Sequence, residues 1–433
     1  MNKAYLFYGI RQFTAKTADK SRRRLRSAVI GNALSLIPLV TVIEIANGMV
    51  EGISRRYIEI GSYHLQLRTY ADTSKDEVEA ILSSLGEVPE ISLSFAYYQG
   101  LALIFSREGR MGVTARTLPD SMYELDEKMK EYISIPDGEF DLSSEDSILV
   151  SSNVASQLNV RTGEEVKLLT ARSVSNGRYI LRQSSFSVTG VFSTGYNELD
   201  ALSLYINEKR GESLFKEPGS IAIGIKIKDP YNSSSEIKRN LIGLIPADWY
   251  IYTWFELDRA MYNSFRTTKA LLILIMALIV CVASVNISSG LVLLVMEKER
   301  DIAILRSTGG SRRGITASFV VTGFIAGSVG TLFGIIFGLL LSANINEVLV
   351  LLERFLSALS FGIRTLLFPF SKVEIREVQL LSPSYYLEDI PIVIKMRDIL
   401  AVSFLSIGLS TSFAWFPARK AGKINPVEVL QKH

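Results

Sequence analysis

Cysteine and histidine are almost absent from this sequence of 433 residues. It contains one cysteine, Cys281, and two histidines, His64 and His433. A disulfide needs two cysteines, and a zinc site needs several Cys or His ligands. The sequence therefore excludes a disulfide scaffold and a zinc protein, and we expect no metal site.

Motifs of common enzyme families are also missing. The sequence has no GxSxG, no HExxH and no Gly-x-x-x-x-Gly-Lys-[Ser/Thr] segment. These motifs supply a serine nucleophile, zinc ligands and a phosphate cradle, respectively. We therefore expect no catalytic residue and no cofactor in this chain.

Charge gives no sign of a nucleic-acid partner. The 47 Lys and Arg nearly balance the 44 Asp and Glu, which leaves a net charge of +3. The basic residues cluster beside apolar segments, where membrane topology and anionic lipid account for them. With 48% hydrophobic residues the chain is also too apolar to be disordered.

Long apolar runs are what this sequence has in abundance. A membrane-spanning helix needs about 20 mainly apolar residues, and four segments qualify: 28–50, 269–296, 315–342 and 398–417. The first contains Pro38 and Glu44, and we expect the Glu44 carboxylate to extend to the lipid headgroups. This run exceeds a signal-peptide core and lacks a clean cleavage site, which predicts an uncleaved anchor.

Basic residues near the span ends predict the topology. They are concentrated in segments 1–27, 297–314 and 418–433, which the positive-inside rule places in the cytoplasm. Segments 51–268 and 343–397 then face outward. The N-terminal segment is amphipathic, and we expect it to lie along the membrane surface through three apolar residues: Leu6, Ile10 and Phe13.

The outer segment 51–268 has a mixed α and β pattern. Ser74 resembles a helix N-cap, a short helix is expected from Asn153, and another from about Ser234 to Leu244. Alternating or β-branched runs predict strands at 63–68, 165–171, 185–192, 203–206 and 221–227, and a strand or hairpin at 91–106. The polar stretch 172–183 is expected to be an exposed loop or hairpin tip. The predicted fold class is an α-helical membrane protein with four transmembrane helices (1+3) and a mixed α+β extracytoplasmic domain between helices one and two.

Two features of the sequence bear on mechanism, one in the loop after the second span and one in the third span. In the loop 297–314, acidic residues come first and a basic residue follows, which suits the dipole of a helix. Gly309 suits the C-cap of that helix, and Ser311 suits the N-cap of the next one. This pattern predicts a short helix at the membrane surface. The helix either merely connects two spans or is a docking site for another protein. The third span carries glycines at spacings of three and four, which favours close packing against a neighbouring helix: Gly323, Gly327, Gly330, Gly334 and Gly338.

The chain resembles a known family of membrane proteins. The loop Glu297–Ile315, the ending Pro417–Leu430 and the one-plus-three layout resemble the MacB/FtsX-type ABC permease superfamily. Further segments resemble the lipoprotein-releasing LolC/LolE permeases within it: Ala46–Met49, Ile58–Leu65, Phe192–Asp200, Thr253-Trp254 and Tyr385–Pro391.

The resemblance implies a function and a set of partners. Two permeases, identical or homologous, would pair and bind cytoplasmic ABC ATPase subunits that carry ATP and Mg²⁺. The complex would extract acylated lipoproteins from the outer leaflet of the bacterial inner membrane and pass them to a periplasmic carrier. Both termini would be cytoplasmic and the large domain periplasmic.

The resemblance also implies three groups of site residues. ATPase coupling would involve Glu299, Ile302, Ala303, Leu305, Arg306, Gly309, Arg312 and Arg313. The lipoprotein cavity would involve Ile43, Asn47, Met49, Phe265, Leu272 and Met276. The carrier-binding loop would involve Arg172, Ser175, Asn176, Gly177 and Tyr179.

Two departures from the family pattern leave alternatives open. The stretch 170–184 lacks the proline of the carrier-recruiting member, so the chain is either the substrate-side partner or a single permease that does both tasks. The stretch 361–381 is longer than usual. The competing interpretations are a MacB-like mechanotransmission permease of an efflux complex, a cell-division or signalling permease without transport, and a receptor without an ATPase.

Overall fold

Two compact units make up the part of the chain that the structure describes. This computed structural model describes residues 19–174, 178–217, 219–367 and 390–431, together with Phe7 and Ile10. Residues 19–49, 265–367 and 390–431 form one unit, here called the membrane unit, and residues 50–264 form the other, the strand unit. Leu6, Phe13 and most of the Tyr385–Pro391 motif lie outside the described residues.

Four long helices confirm the one-plus-three arrangement of spans. Within the described residues, four helices are long and apolar enough to cross a bilayer: α1 (Asp19–Arg56), α10 (Arg259–Glu297), α12 (Arg312–Ala343) and α14 (Met396–Lys423). The first two have 38 and 39 residues, or about 57 Å at ~1.5 Å per residue, so they extend well beyond a hydrocarbon core of about 30 Å.

Shorter helices complete the membrane unit. They are α11 (Glu299–Ser307), α13 (Ile345–Leu367) and α15 (Pro426–Gln431). Helix α13 lies in the segment that we predicted as an outer loop, and its apolar residues recur at helical spacing after Glu347 in the first turn. Residues 368–389, including most of the long stretch 361–381, lie outside the described residues.

The glycines of α12 are contact points for two neighbouring helices. A Cβ at Gly323 or Gly327 would lie 2.2 Å and 2.6 Å from the Cβ atoms of Ala414 and Ser410 on α14. The remaining three glycines of the stripe pack on α1, at Asn32, Leu36 and Val40. The predicted packing role is confirmed, because the absent side chains allow helix backbones to approach closely in lipid.

Adding one methyl group at this contact is expected to destabilise the membrane unit. In Gly334→Ala the new Cβ would lie 2.6 Å from the Leu36 Cβ, and such overpacking costs about 1–3 kcal/mol. Gly31→Ala on α1 is the matched control, because nothing lies within 4 Å of its Cβ position. There the change gains helix propensity of up to about 1 kcal/mol. Thermal midpoints in detergent should move in opposite directions, and equal shifts would contradict the packing role.

The strand unit is built on ten strands among the described residues. They run in the order β10-β1-β9-β2-β3-β8-β5-β7-β4, and β6 pairs with β2 and β7. The strands are β1 (Leu65–Thr69), β2 (Ile91–Phe105), β3 (Arg110–Leu118), β4 (Ser134–Gly138), β5 (Ser147–Ser151), β6 (Glu165–Val174), β7 (Arg178–Ser193), β8 (Ser203–Asn207), β9 (Ile221–Ile227) and β10 (Trp249–Thr253).

Short helices connect and cover these strands. They are α2 (Lys75–Gly86), α3 (Met122–Leu125), α4 (Glu127–Tyr132), α5 (Ser152–Leu158), α6 (Asn197–Asp200), α7 (Glu208–Phe215), α8 (Ser234–Leu241) and α9 (Trp254–Leu257). The predicted cap is confirmed, since the Ser74 hydroxyl accepts a hydrogen bond from the Glu77 N–H. The mixed α and β domain therefore lies between the first and second spans, as predicted.

A buried ionic cluster fixes the chain where it leaves α1. Glu59 lies in a π-helical turn, Tyr57–Gly61, that directly follows α1. The Lys226 ammonium on β9 lies 2.8 Å from Glu59 and also pairs with Asp126. His64 Nδ1 lies 2.8 Å from the Ile227 N–H and 3.0 Å from the Ile227 carbonyl, and its Nε2 lies 3.2 Å from Glu59. Two carboxylates thus share one buried lysine, which makes each partner costly to remove.

Candidate functional site

Helix α11 has the boundaries that its sequence predicts. Gly309 follows it with φ = +95°, a conformation that glycine adopts without strain. The Ser311 hydroxyl then accepts a hydrogen bond from the Gly314 N–H at 3.1 Å and caps α12. Both predicted caps are confirmed. The segment is therefore a separate short helix with defined ends.

The two faces of α11 have different surroundings. Ile302 and Ala303 are both 0% exposed, whereas Ile304 and Leu305 are 47% and 37% exposed. Ile302 belongs to a core cluster that includes residues from α10, α12 and α14, among them Leu294, Phe319 and Ala418. The expectation that Ile302 and Ala303 offer apolar contacts to an ATPase is corrected, because their side chains anchor α11 to its own chain. The exposed apolar edge is Ile304 and Leu305, and sequence analysis omitted Ile304.

Arg306 connects α11 to the end of the last span. Its guanidinium donates a hydrogen bond to the Ile424 carbonyl at 2.7 Å and another to Gly422 at 3.4 Å. Carbonyl groups at a helix C-terminus lack partners within the helix, and a cation there also complements the helix dipole. Helix α15 packs against α11 beside this contact. Arg306 thus acts within the chain, while the side chains of Glu299, Arg312 and Arg313 are exposed.

The six predicted cavity residues do not form one open surface in this chain. Ile43 and Met276 are each 6% exposed and belong to one apolar cluster, and Asn47 is 4% exposed. Met49, Phe265 and Leu272 are half-buried. The expectation that Ile43, Asn47 and Met276 face a cavity is therefore corrected. An apolar face of α10 is exposed instead: Leu271, Ile273, Leu274, Ile275, Leu278, Ile279, Val282 and Val285.

Asn47 belongs to a polar cluster that joins three spans. The Lys269 ammonium on α10 donates to Asn47 Oδ1 at 2.9 Å and to Asp398 Oδ2 on α14 at 2.8 Å. The Asn47 amide nitrogen on α1 donates to the same Asp398 oxygen at 2.8 Å. Ionisable groups within membrane helices are rare and occur as pairs. This cluster therefore fixes α1, α10 and α14 to one another at a single level.

Glu44 lies one helical turn before this cluster. Its side chain is 0% exposed, and nearby charges include Lys269, Lys395 and Asp398. The expectation that its carboxylate extends to the headgroups is corrected, because the side chain is enclosed by protein. Glu44 is therefore part of the same buried set of polar groups as Lys269 and Asp398.

The predicted loop 172–183 is largely a β-hairpin. Strands β6 and β7 pair from Glu165↔Ser187 to Val174↔Arg178, so both arms continue through most of the polar stretch. Ser175, Asn176 and Gly177 lie outside the described residues, as do the side chains of Arg172 and Tyr179. On β7, Ile180 and Leu181 are 59% and 65% exposed. The hairpin thus presents apolar side chains to solvent.

Comparisons with known proteins identify what the chain is similar to. Residues 273–426 match the family described as FtsX-like permease C-terminal. The chain is 24% identical over 411 residues to the lipoprotein-releasing system transmembrane protein LolC of Xylella fastidiosa. The matched region covers 94% of this chain and 93% of that protein. It is 26% identical over 410 residues to LolC of Neisseria meningitidis, covering 93% of each. LolE of Haemophilus influenzae is 25% identical over 292 residues, or 67% of this chain and 65% of that protein.

Proposed function

We propose that this chain is a permease of the LolC/LolE type, the transmembrane subunit of an ABC transporter that releases lipoproteins. The complex takes acylated lipoproteins from the outer leaflet of the inner membrane and passes them to a periplasmic carrier. The observation that carries the proposal is the similarity to LolC over 94% of the chain, from the first span through the strand unit to the last span.

A separate ATPase supplies the energy in this proposal. Each methylene of an acyl anchor buried in lipid contributes about 0.8 kcal/mol, so extraction is strongly uphill, and the sequence contains no P-loop. ATP and Mg²⁺ therefore reside on the partner. The exposed Ile304 and Leu305, with exposed Glu299 at the start of the same helix and exposed Arg313 at the start of α12, combine apolar and charged side chains, as protein interfaces do.

The acyl chains bind along the exposed apolar face of α10 in this proposal. That face has no partner within the described residues of the membrane unit, and a second permease supplies the opposite wall. Such a wall keeps the anchor in an apolar environment while it moves. Positive charges near the span ends favour cytoplasmic termini and a periplasmic strand unit.

In this proposal, the β6–β7 hairpin binds the periplasmic carrier. Exposed Ile180 and Leu181 suit an apolar contact between proteins. The stretch lacks the proline of the carrier-recruiting member, so this chain either binds the carrier weakly beside a second permease or serves both roles as a homodimer.

Co-purification in mild detergent followed by mass spectrometry tests the assignment. We expect a lone ATPase and acylated lipoproteins with the chain. After reconstitution into proteoliposomes, ATP should release a triacylated lipoprotein to added carrier. An ATPase that copurifies with cell-wall hydrolases or efflux partners, and with no lipoprotein, would overturn the proposal. A second permease in the sample distinguishes heterodimer from homodimer.

A further inference from the structure

An apolar groove lies in the membrane unit, and no residue of α10 lines it. It is a groove of about 570 Å³ between α1 and α12. Its walls are Ile30 and Leu34 on one side and Phe333 and Phe337 on the other, with Ala33 between them. A volume of this size is within the range of small-molecule sites.

The shape of the groove follows from the glycine contact described above. Gly334 and Gly338 bring the α12 backbone against α1, so the larger side chains beside that contact project as walls. Ile30 and Leu34 are 63% and 66% exposed, and Phe333 and Phe337 are 47% and 52% exposed. The groove is therefore open to the surrounding lipid and is formed by two closely packed helices.

One end of the groove is basic. Arg26 lines it, and none of the nine lining residues is acidic. From Arg26 to Ile37, the last lining residue of α1, the helix rises about 16 Å at ~1.5 Å per residue. That rise matches one leaflet, which is half of a hydrocarbon core of about 30 Å. Arg26 therefore lies at headgroup depth when the apolar walls lie at acyl-chain depth.

We infer that this groove is a binding site for an anionic phospholipid, with one acyl chain between the two walls and the phosphate on Arg26. The length of the groove suits a lipid chain that enters from one leaflet. The arginine suits a phosphate, because its guanidinium binds phosphate oxygens in a fork geometry. The bound lipid is a resident of the permease and not the transported lipoprotein.

Native mass spectrometry of the purified complex tests this inference. The probes are palmitoyl-oleoyl phosphatidylglycerol and the corresponding phosphatidylcholine. We expect a preference for phosphatidylglycerol that falls several-fold in Arg26→Gln, and an approximately tenfold loss of bound lipid in Ala33→Trp, whose indole fills the groove. Arg23→Gln and Leu400→Trp are the matched controls, because Arg23 and Leu400 do not line the groove, and Leu400 is 49% exposed on α14. Both should retain the lipid.

Other results would overturn the inference. Equal binding of both lipids to the unchanged complex would remove the role of Arg26. Undiminished phosphatidylglycerol in Ala33→Trp would place the lipid elsewhere. Crosslinks from cysteine at Leu34 to a second permease, or to a lipoprotein acyl chain, would assign the groove to those occupants. If Ala33→Trp does not assemble, Leu34→Trp fills the groove from its exposed wall, and Arg26→Gln alone still tests the headgroup contact.

Discussion

The double substitution Ile304→Asp/Leu305→Asp is expected to release the ATPase from the permease while the membrane unit stays folded. Both side chains are exposed at the edge of α11, so aspartate there meets water in the isolated chain. In the complex the same carboxylates would be buried without partners, which is strongly unfavourable. Retention of the ATPase in pull-down, and ATP-driven lipoprotein release, should each fall by at least about tenfold, since hot-spot residues contribute about 2 kcal/mol or more each.

Two further variants make this result specific to the edge of α11. Ile242→Asp/Leu244→Asp introduces the same charge at positions that are 62% and 55% exposed in the strand unit, and it should leave ATPase binding unchanged. Ile302→Asp should instead destabilise the chain itself, because that side chain is completely buried. Normal ATPase retention in the double variant would exclude Ile304 and Leu305 from the interface.

Lys269→Met is expected to destabilise the junction of α1, α10 and α14. Removal of the ammonium leaves the Asp398 carboxylate with its hydrogen bond from Asn47 and the charge of Lys395, beside a fully buried Glu44. Loss of one partner of a buried pair costs about 3–5 kcal/mol. Because the Lys269 side chain is 38% exposed, solvent screening reduces the expected cost to about 1–2 kcal/mol. The thermal midpoint of the complex in detergent measures it, and release activity should fall in parallel.

A double-mutant cycle separates the ion pair from the loss of the lysine chain. Asp398→Asn in the Lys269→Met background removes the uncompensated charge and should recover part of the lost stability. Lys128→Met is the control. The side chains of Lys128 and of its partner Glu131 are both exposed, so this ion pair contributes little to stability. Additive effects of Lys269→Met and Asp398→Asn would show that the two residues are not coupled.

The spans were predictable from sequence, but their ends were not. Apolar length identifies a span directly, because lipid requires it. Helix α1 nevertheless begins at Asp19, nine residues before the predicted start at 28, and α10 begins at Arg259. Those extensions are polar or basic, so hydropathy does not mark them. Helix α13 was likewise hidden in a predicted loop.

The side chains that face the interior of the membrane unit were the least predictable. Ile302 and Leu305 have similar hydrophobicity, and only the packing of α11 on the spans makes one a core residue and the other an exposed one. Asn47, Lys269 and Asp398 are separated by 129 to 351 residues along the chain. No local pattern relates them, and their contact depends on how three helices pack.

The hydrogen bonds of Arg306 have a mechanical consequence. A force applied to the exposed Ile304 and Leu305 would be transmitted directly to the last span. The next residue, Arg306, donates hydrogen bonds to the carbonyls at the end of α14. The buried side of the same helix transmits that force into the packed interior through Ile302. A force on this short helix would therefore reach α14 through Arg306, and α10 and α12 through Ile302.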